Sequence, residues 1–195
     1  MGAALMDADW SVELGADDPA LEFPWSSPDE SQRFVDLKDT VAINEIPEAL
    51  QYPELQKCLL ELNSRFSPWL TVKCDVWLDH ELGEAEQIYD ANLKVCSYVD
   101  LIRRDDSARY SFDHHEWWVK SVTGRLHNLV NQPNHCELIV RRCWYHTNTT
   151  EADELTPGFY ITAYVSGYGN NEEQARERWS SGITKVSWIL SSLAS

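Results

Sequence analysis

The sequence predicts an α+β fold in which tandem strand-strand-helix units form a four-stranded antiparallel sheet with two helices on one face, preceded by an N-terminal arm and short helices. Three observations predict it. Four segments alternate aliphatic with other side chains at a period of two, as an extended chain with one core-facing side requires. Two further segments carry a single apolar stripe at helical spacing. The order strand, strand, helix then occurs twice, over residues 69–130 and again over 136–193, giving repeat-like halves of one domain at 41–195.

Residues 1–40 read as an irregular arm. They hold Pro19, Pro24 and Pro28 and several acids, with short apolar runs at 10–14, 20–25 and 33–37 that allow two short strands. Trp10, Phe23, Trp25 and Phe34 need an apolar place to dock. A short helix fits 43–50, and Pro53 suits the first turn of a second, where Leu55, Leu59 and Leu62 share a face.

The first strand is WLTVKCDVWL, residues 69–78, with Leu70, Val72, Cys74, Val76 and Leu78 on one side and Trp69, Thr71, Lys73, Asp75 and Trp77 on the other. Residues 92–104 give the second. Asp113 with Glu116 three residues on has the pattern of a reciprocal N-cap ahead of a helix striped by Trp118, Val122, Leu126 and Leu129. Residues 136–146 form the third strand. Pro157 and Gly158 mark a turn, and FYITAYVSGYG at 159–169 is the fourth strand. A last helix follows, with Ala175, Trp179, Ile183, Val186, Leu190 and Leu193 as its stripe and Glu172 and Glu173 at its positive end.

If the aliphatic parities all face the helices, the other parities converge on the far side of the sheet. Trp69, Asp75, Trp77, Tyr98, Asp100, Glu137, Arg141, Tyr145, Tyr160 and Tyr164 would then share one wall. A wall so rich in rings and charges needs a cover, because bare aromatic patches are rare and buried charges need partners. Three covers are open to it: the arm, a second subunit, or a ligand.

Composition narrows the function classes. Of 195 residues 32 are acidic and 16 basic, a formal charge of −16, which repels nucleic-acid phosphates and anionic lipid. The expected partners are therefore a small molecule or a basic protein segment, with a homodimer as a further option, and neither nucleic acid nor membrane. The first ten residues lack the basic region of a secretory signal, and five cysteines without a CxxC suit a reduced, cytoplasmic setting.

Candidate chemistry is thin. His114 and His115 are adjacent in DHHEWW, so on a helix they point about 100° apart and do not chelate together. His135, Cys136, Cys143 and His146 suggest zinc, but six residues of extended chain hold the thiols roughly 20 Å apart. No nucleophile elbow, HExxH, phosphate loop or dinucleotide fingerprint occurs, so no metal, cofactor or catalytic residue is expected. GYGNNEE at 167–173 reads as a capped turn rather than an anion cradle.

In element order alone the chain resembles the small acidic chaperones of type III secretion, and its doubled strand-strand-helix unit is similar to gyrase-inhibitor-like small-molecule binders. These resemblances imply an interaction protein or a binder, not an activity. The leading expectation is a non-enzymatic binding protein that uses the aromatic sheet face for a small apolar or cationic ligand or a partner segment. The alternatives are a dimeric chaperone-like protein and an enzyme built on Cys96, Cys143, His146 and the carboxylates.

Overall fold

The alternating segments form strands and the striped segments form helices in the computed structural model, which describes residues 6–27, 29, 33–129, 133–149 and 152–193. The strands are β1 (Asp7–Glu13), β2 (Ala20–Phe23), β3 (Trp69–Asp79), β4 (Leu93–Arg103), β5 (Asn134–Thr149) and β6 (Ala152–Gly169). The helices are α1 (Pro47–Gln51), α2 (Pro53–Leu62), α3 (Asp106–Arg109), α4 (Phe112–Leu126) and α5 (Glu172–Ser192), with 3-10 turns at Thr40–Glu45 and Glu84–Tyr89.

The fold is α+β, but its sheet is larger than expected and mixed. Its order is β1-β5-β6-β4-β3, with β2 following β1 along the same edge of β5. β3, β4, β6 and β5 pair antiparallel as the alternation implies, whereas β1 and β2 lie parallel to β5. Two of the arm's apolar runs thus become edge strands. They satisfy the backbone groups along one side of β5 that a four-stranded sheet would leave unpaired.

Two local expectations are corrected. Pro157 and Gly158 lie inside β6, opposite Trp144 and Cys143, because the β5–β6 register runs on unbroken to Thr149 and Ala152. That part of β6 lies beyond the last β4 pair, Leu101 with Ile161, so the missing proline N–H deprives no ladder on that side. At Gly158 a Cβ would come within 2.7 Å of the Tyr145 ring, so close approach rather than a turn requires glycine there. The cap of α4 is Ser111, whose hydroxyl accepts from the His114 N–H at 3.2 Å, and Asp113 falls in the first turn instead.

α2, α4 and α5 cover one face of the sheet. α5 packs on β4, β5 and β6 and also against α2 and α4. Its 21 residues span about 30 Å, enough to cross the sheet. Trp179, Ile183, Val186 and Leu190 meet Val95, Leu138, Ile161 and Val165 in a core that also holds Trp118, Val122 and Leu126. A Cβ at Gly167 would overlap the Trp179 backbone, so this strand residue lets the helix axis come down onto the sheet. The Trp179 indole N–H donates to Ser97 Oγ at 2.9 Å, which satisfies the one polar atom of that buried ring.

The register of β3 against β4 shifts between Thr71 and Cys74. This bulge reverses the parity of the first residues of β3. Trp69 therefore lies on the helix face, edge-on to Trp118 at 4.3 Å and donating to the Leu190 carbonyl at 3.2 Å. Leu70 and Val72, expected in the main core, sit on the opposite face with Leu21, Ile102, Cys143, Tyr145 and Tyr160.

Candidate functional site

The far face of the sheet is the surface the alternation singled out, and the chain covers its two ends in different ways. At one end the arm lays Phe23, Trp25 and Phe34 over the second apolar cluster. Tyr145 and Tyr160 lie under this cover, buried, with the Tyr145 hydroxyl on the Phe159 carbonyl at 2.8 Å. At the other end the turn Glu84–Tyr89 folds over. Tyr89 stacks on Tyr168 at 4.0 Å and donates to Asp7 at 2.6 Å, and Glu86 accepts from Lys94 at 2.7 Å and from the Tyr168 hydroxyl at 2.8 Å. Burial works against the Glu86 carboxylate, yet these bonds and one from the Gly83 N–H hold it below its ordinary pKa.

Between the covers lies an open strip. Asp75, Tyr98, Tyr164, Glu137 and Asp9 are successive cross-strand neighbours in one row, and Trp77, Cys96 and Ser166 form the next. The rings follow one another across the strands, Trp77 to Tyr98 at 6.4 Å and Tyr98 to Tyr164 at 5.9 Å. Trp77 is 36% exposed, and Tyr98 and Tyr164 are half-buried. Asp75 stands at one end of the row, exposed, with its carboxylate on the Val76 N–H at 2.7 Å. Glu137 and Asp9 stand at the other, where Ser11 donates to Glu137 at 3.4 Å. Burial first, and then the Asp9 carboxylate, raise the pKa of Glu137.

Beside the strip, in the next rows of the same face toward the arm, runs a buried polar chain. Arg141 lies against Glu13, with Nε and Nη2 at 2.8 and 2.7 Å from Oε2, and donates to Thr162 Oγ1 at 3.0 Å. Thr162 in turn donates to Asp100 at 2.7 Å. Burial pushes the Asp100 carboxyl up to about 6, against the pull of Thr162 and Arg141. The Arg141 guanidinium also sits 5.7 Å from the Tyr164 ring, so one cation fixes both the acid chain and the floor of the strip.

Of the ten residues the sequence singled out, Asp75, Trp77, Tyr98, Glu137 and Tyr164 meet in the open strip, and Asp100 and Arg141 lie buried beside it in the next rows of the same face. Tyr145 and Tyr160 share the face but are sealed by the arm. Trp69 is on the other side of the sheet because of the bulge. Cys96 and Ser166, 3.3 Å apart in the middle of the strip, were not among the ten. Their strand parity was the available signal.

The thiols do not have the character of nucleophiles. Burial raises Cys96 to about 11 and Cys143 to about 12, opposite to the depression that activates a thiolate. His146 faces Glu22 at 2.6 Å. Among the described residues no group of three or more His, Cys, Asp or Glu could hold a metal ion, and no helix is long and apolar enough to cross a membrane. Compared with known proteins, the chain matches no family model, no curated protein and no solved structure.

Proposed function

We propose that this chain is a non-enzymatic, cytosolic binding protein whose open strip holds a cationic group carried on an apolar ligand or on a segment of a partner protein. The observation that carries the reading is the strip itself: Tyr98 and Tyr164 side by side between the carboxylates of Asp75 and Glu137, with Trp77 of the adjacent row 6.4 Å from Tyr98. Aromatic faces attract cations through their quadrupoles, and the half-buried Glu137 adds Coulombic attraction that water screens only partly, the exposed Asp75 adding less. A surface with a formal charge of −16 also steers cations toward it. The five free cysteines suit the reducing compartment.

The test is a titration with benzyltrimethylammonium and with a peptide of alternating lysine and leucine, followed by NMR shifts of the Trp77 indole. Replacing Trp77 or Tyr164 with alanine should weaken binding by roughly threefold to thirtyfold each. If the double variant binds both probes like the parent, the reading fails.

A second reading rests on a different surface. Trp188 of α5 is 62% exposed and Trp117 of α4 is 55% exposed, on the outer side of the helix layer. Large rings in water mark contact surfaces, which supports a homodimer or chaperone-like assembly through the helices. Its test is the mass in solution: Trp188→Ser should convert a dimer to a monomer and leave cation binding at the strip intact.

A further inference from the structure

The outer edge of β3 borders a cavity separate from the aromatic strip. Its volume is about 600 Å³, within the range of small-ligand sites. β3 pairs only with β4, and the cavity wraps around its free edge at the bulge. Leu37 and Leu59, with Val35 and Cys74 packed against their cluster, wall it on the helix side, and Trp25 and Val72 on the far side. The arm closes over it through a bond from the Trp25 indole to the Val72 carbonyl at 2.9 Å.

Neither cation of this wall, Lys73 or Arg33, forms an ion pair among the described residues. The Lys73 ammonium lies 4.4 Å from the Trp25 ring, and among the described residues no carboxylate reaches it at ion-pair distance. Lys94, Lys120 and Arg141 each meet a carboxylate, as a protein with twice as many acids as bases allows. The acid that acts on Lys73 from the sheet, Asp100, is committed to Thr162. Arg33, exposed to solvent at the rim, adds a second positive charge to the lining. Glu45 and Glu48 line it as well; Glu45 is exposed to solvent, and the half-buried Glu48 acts on the Cys74 thiol, so the wall carries acids beside its cations and an anion would have to seat on the Lys73 side.

We propose that this cavity binds an anionic amphiphile, an unbranched alkyl carboxylate, with its tail among Val35, Leu37, Leu59 and Val72 and its carboxylate on Lys73 and Arg33. Each methylene drawn from water into the cavity should tighten binding about fourfold. A charge-assisted hydrogen bond from Lys73 should contribute about tenfold or more.

The experiment is calorimetric titration of the full chain with octanoate, decanoate and dodecanoate, and with dodecanol and dodecylamine as uncharged and cationic counterparts. We expect saturable one-to-one binding of dodecanoate, affinity rising along the series, and dodecylamine weaker. Lys73→Met should lose about tenfold for dodecanoate and little for dodecanol. Val35→Trp should fill the space and abolish both, while Trp77→Ala leaves both unchanged, which separates this site from the strip. The proposal is overturned by no saturable binding, by equal affinity in Lys73→Met, or by dodecylamine binding as tightly as dodecanoate. Should Val35→Trp fail to fold, the chain-length series decides: affinity that does not rise with length overturns it.

Discussion

The two faces of the sheet bury themselves by different physics. The helix face is aliphatic and is tiled by three helices, so its stability is hydrophobic area and close packing, which act along its whole length. The far face is ringed and charged. It is closed by an aromatic arm at one end and a hydrogen-bonded tyrosine turn at the other, and is held in the middle by the chain from Glu13 through Arg141 and Thr162 to Asp100. Alternation along a strand fixes which residues share a face. What covers that face is decided by the chemistry of those residues: a stripe of Leu and Val admits a helix, whereas a row of phenols and carboxylates does not.

The comparison breaks hardest at Gly167. Alanine there would force α5 off the sheet, because the atoms it meets are helix backbone that cannot rotate aside. The expected loss is about 4 kcal/mol in chemical denaturation, or failure to fold. Gly124 is the control. A Cβ there meets nothing within 4 Å, and Gly124→Ala should stabilise by about 0.5–1 kcal/mol through helix propensity.

The next effect belongs to His115, buried on the helix side with Nδ1 on the Ser111 carbonyl at 2.8 Å. Burial lowers its pKa from 6.5 to about 4, so the fold holds it neutral. The stability it confers is present above 6.5 and is lost as the pH falls through 4, a swing of about 3 kcal/mol. Urea midpoints measured from pH 7 to pH 4.5 should fall steeply in the parent and much less in His115→Gln.

The strands, both long helices and the shared polar face were legible because each rests on a local period. Val95, Val99 and Leu101, or Trp179, Ile183 and Val186, have no other arrangement that buries them together. The bulge in β3 was not legible. Trp69 and Thr71 make as good a core pair as Leu70 and Val72, and only the docking of Phe23, Trp25 and Phe34 more than 35 residues away settles which pair faces the helices. The same holds for β1 and β2, whose parallel partner lies over 100 residues on, and for the cavity at Lys73, whose walls come from three separate segments. In the candidate site the rings were legible from parity. The covers that leave only Trp77, Tyr98 and Tyr164 open depend on contacts that no local pattern records.

A smaller effect sharpens the contrast from the far face. Asp100 has its pKa raised from 3.8 to about 6, so the folded state prefers it protonated. Its contribution is greatest below pH 3.8 and is lost as the pH rises through 6, the reverse of His115. Asp100→Asn keeps an acceptor for Thr162 and removes the buried charge. It should stabilise by about 1–2 kcal/mol at pH 7, with the gain vanishing near pH 4, as read by urea denaturation at both pH values.

The smallest effect is expected at Trp77, and its smallness is the point. A ring that served the core would cost about 3–5 kcal/mol to truncate. Trp77 is 36% exposed and stands at the edge of the strip, on a strand whose helix-side neighbour Val76 is already buried. Trp77→Ala should therefore change stability by no more than about 0.5 kcal/mol while weakening cation binding severalfold. A residue that matters for binding and not for folding separates a face built to receive something from one that is merely half-covered. A loss of several kcal/mol in the Trp77→Ala denaturation curve would instead assign this ring to the packing of the sheet, and the distinction between the two faces would shrink to one of composition.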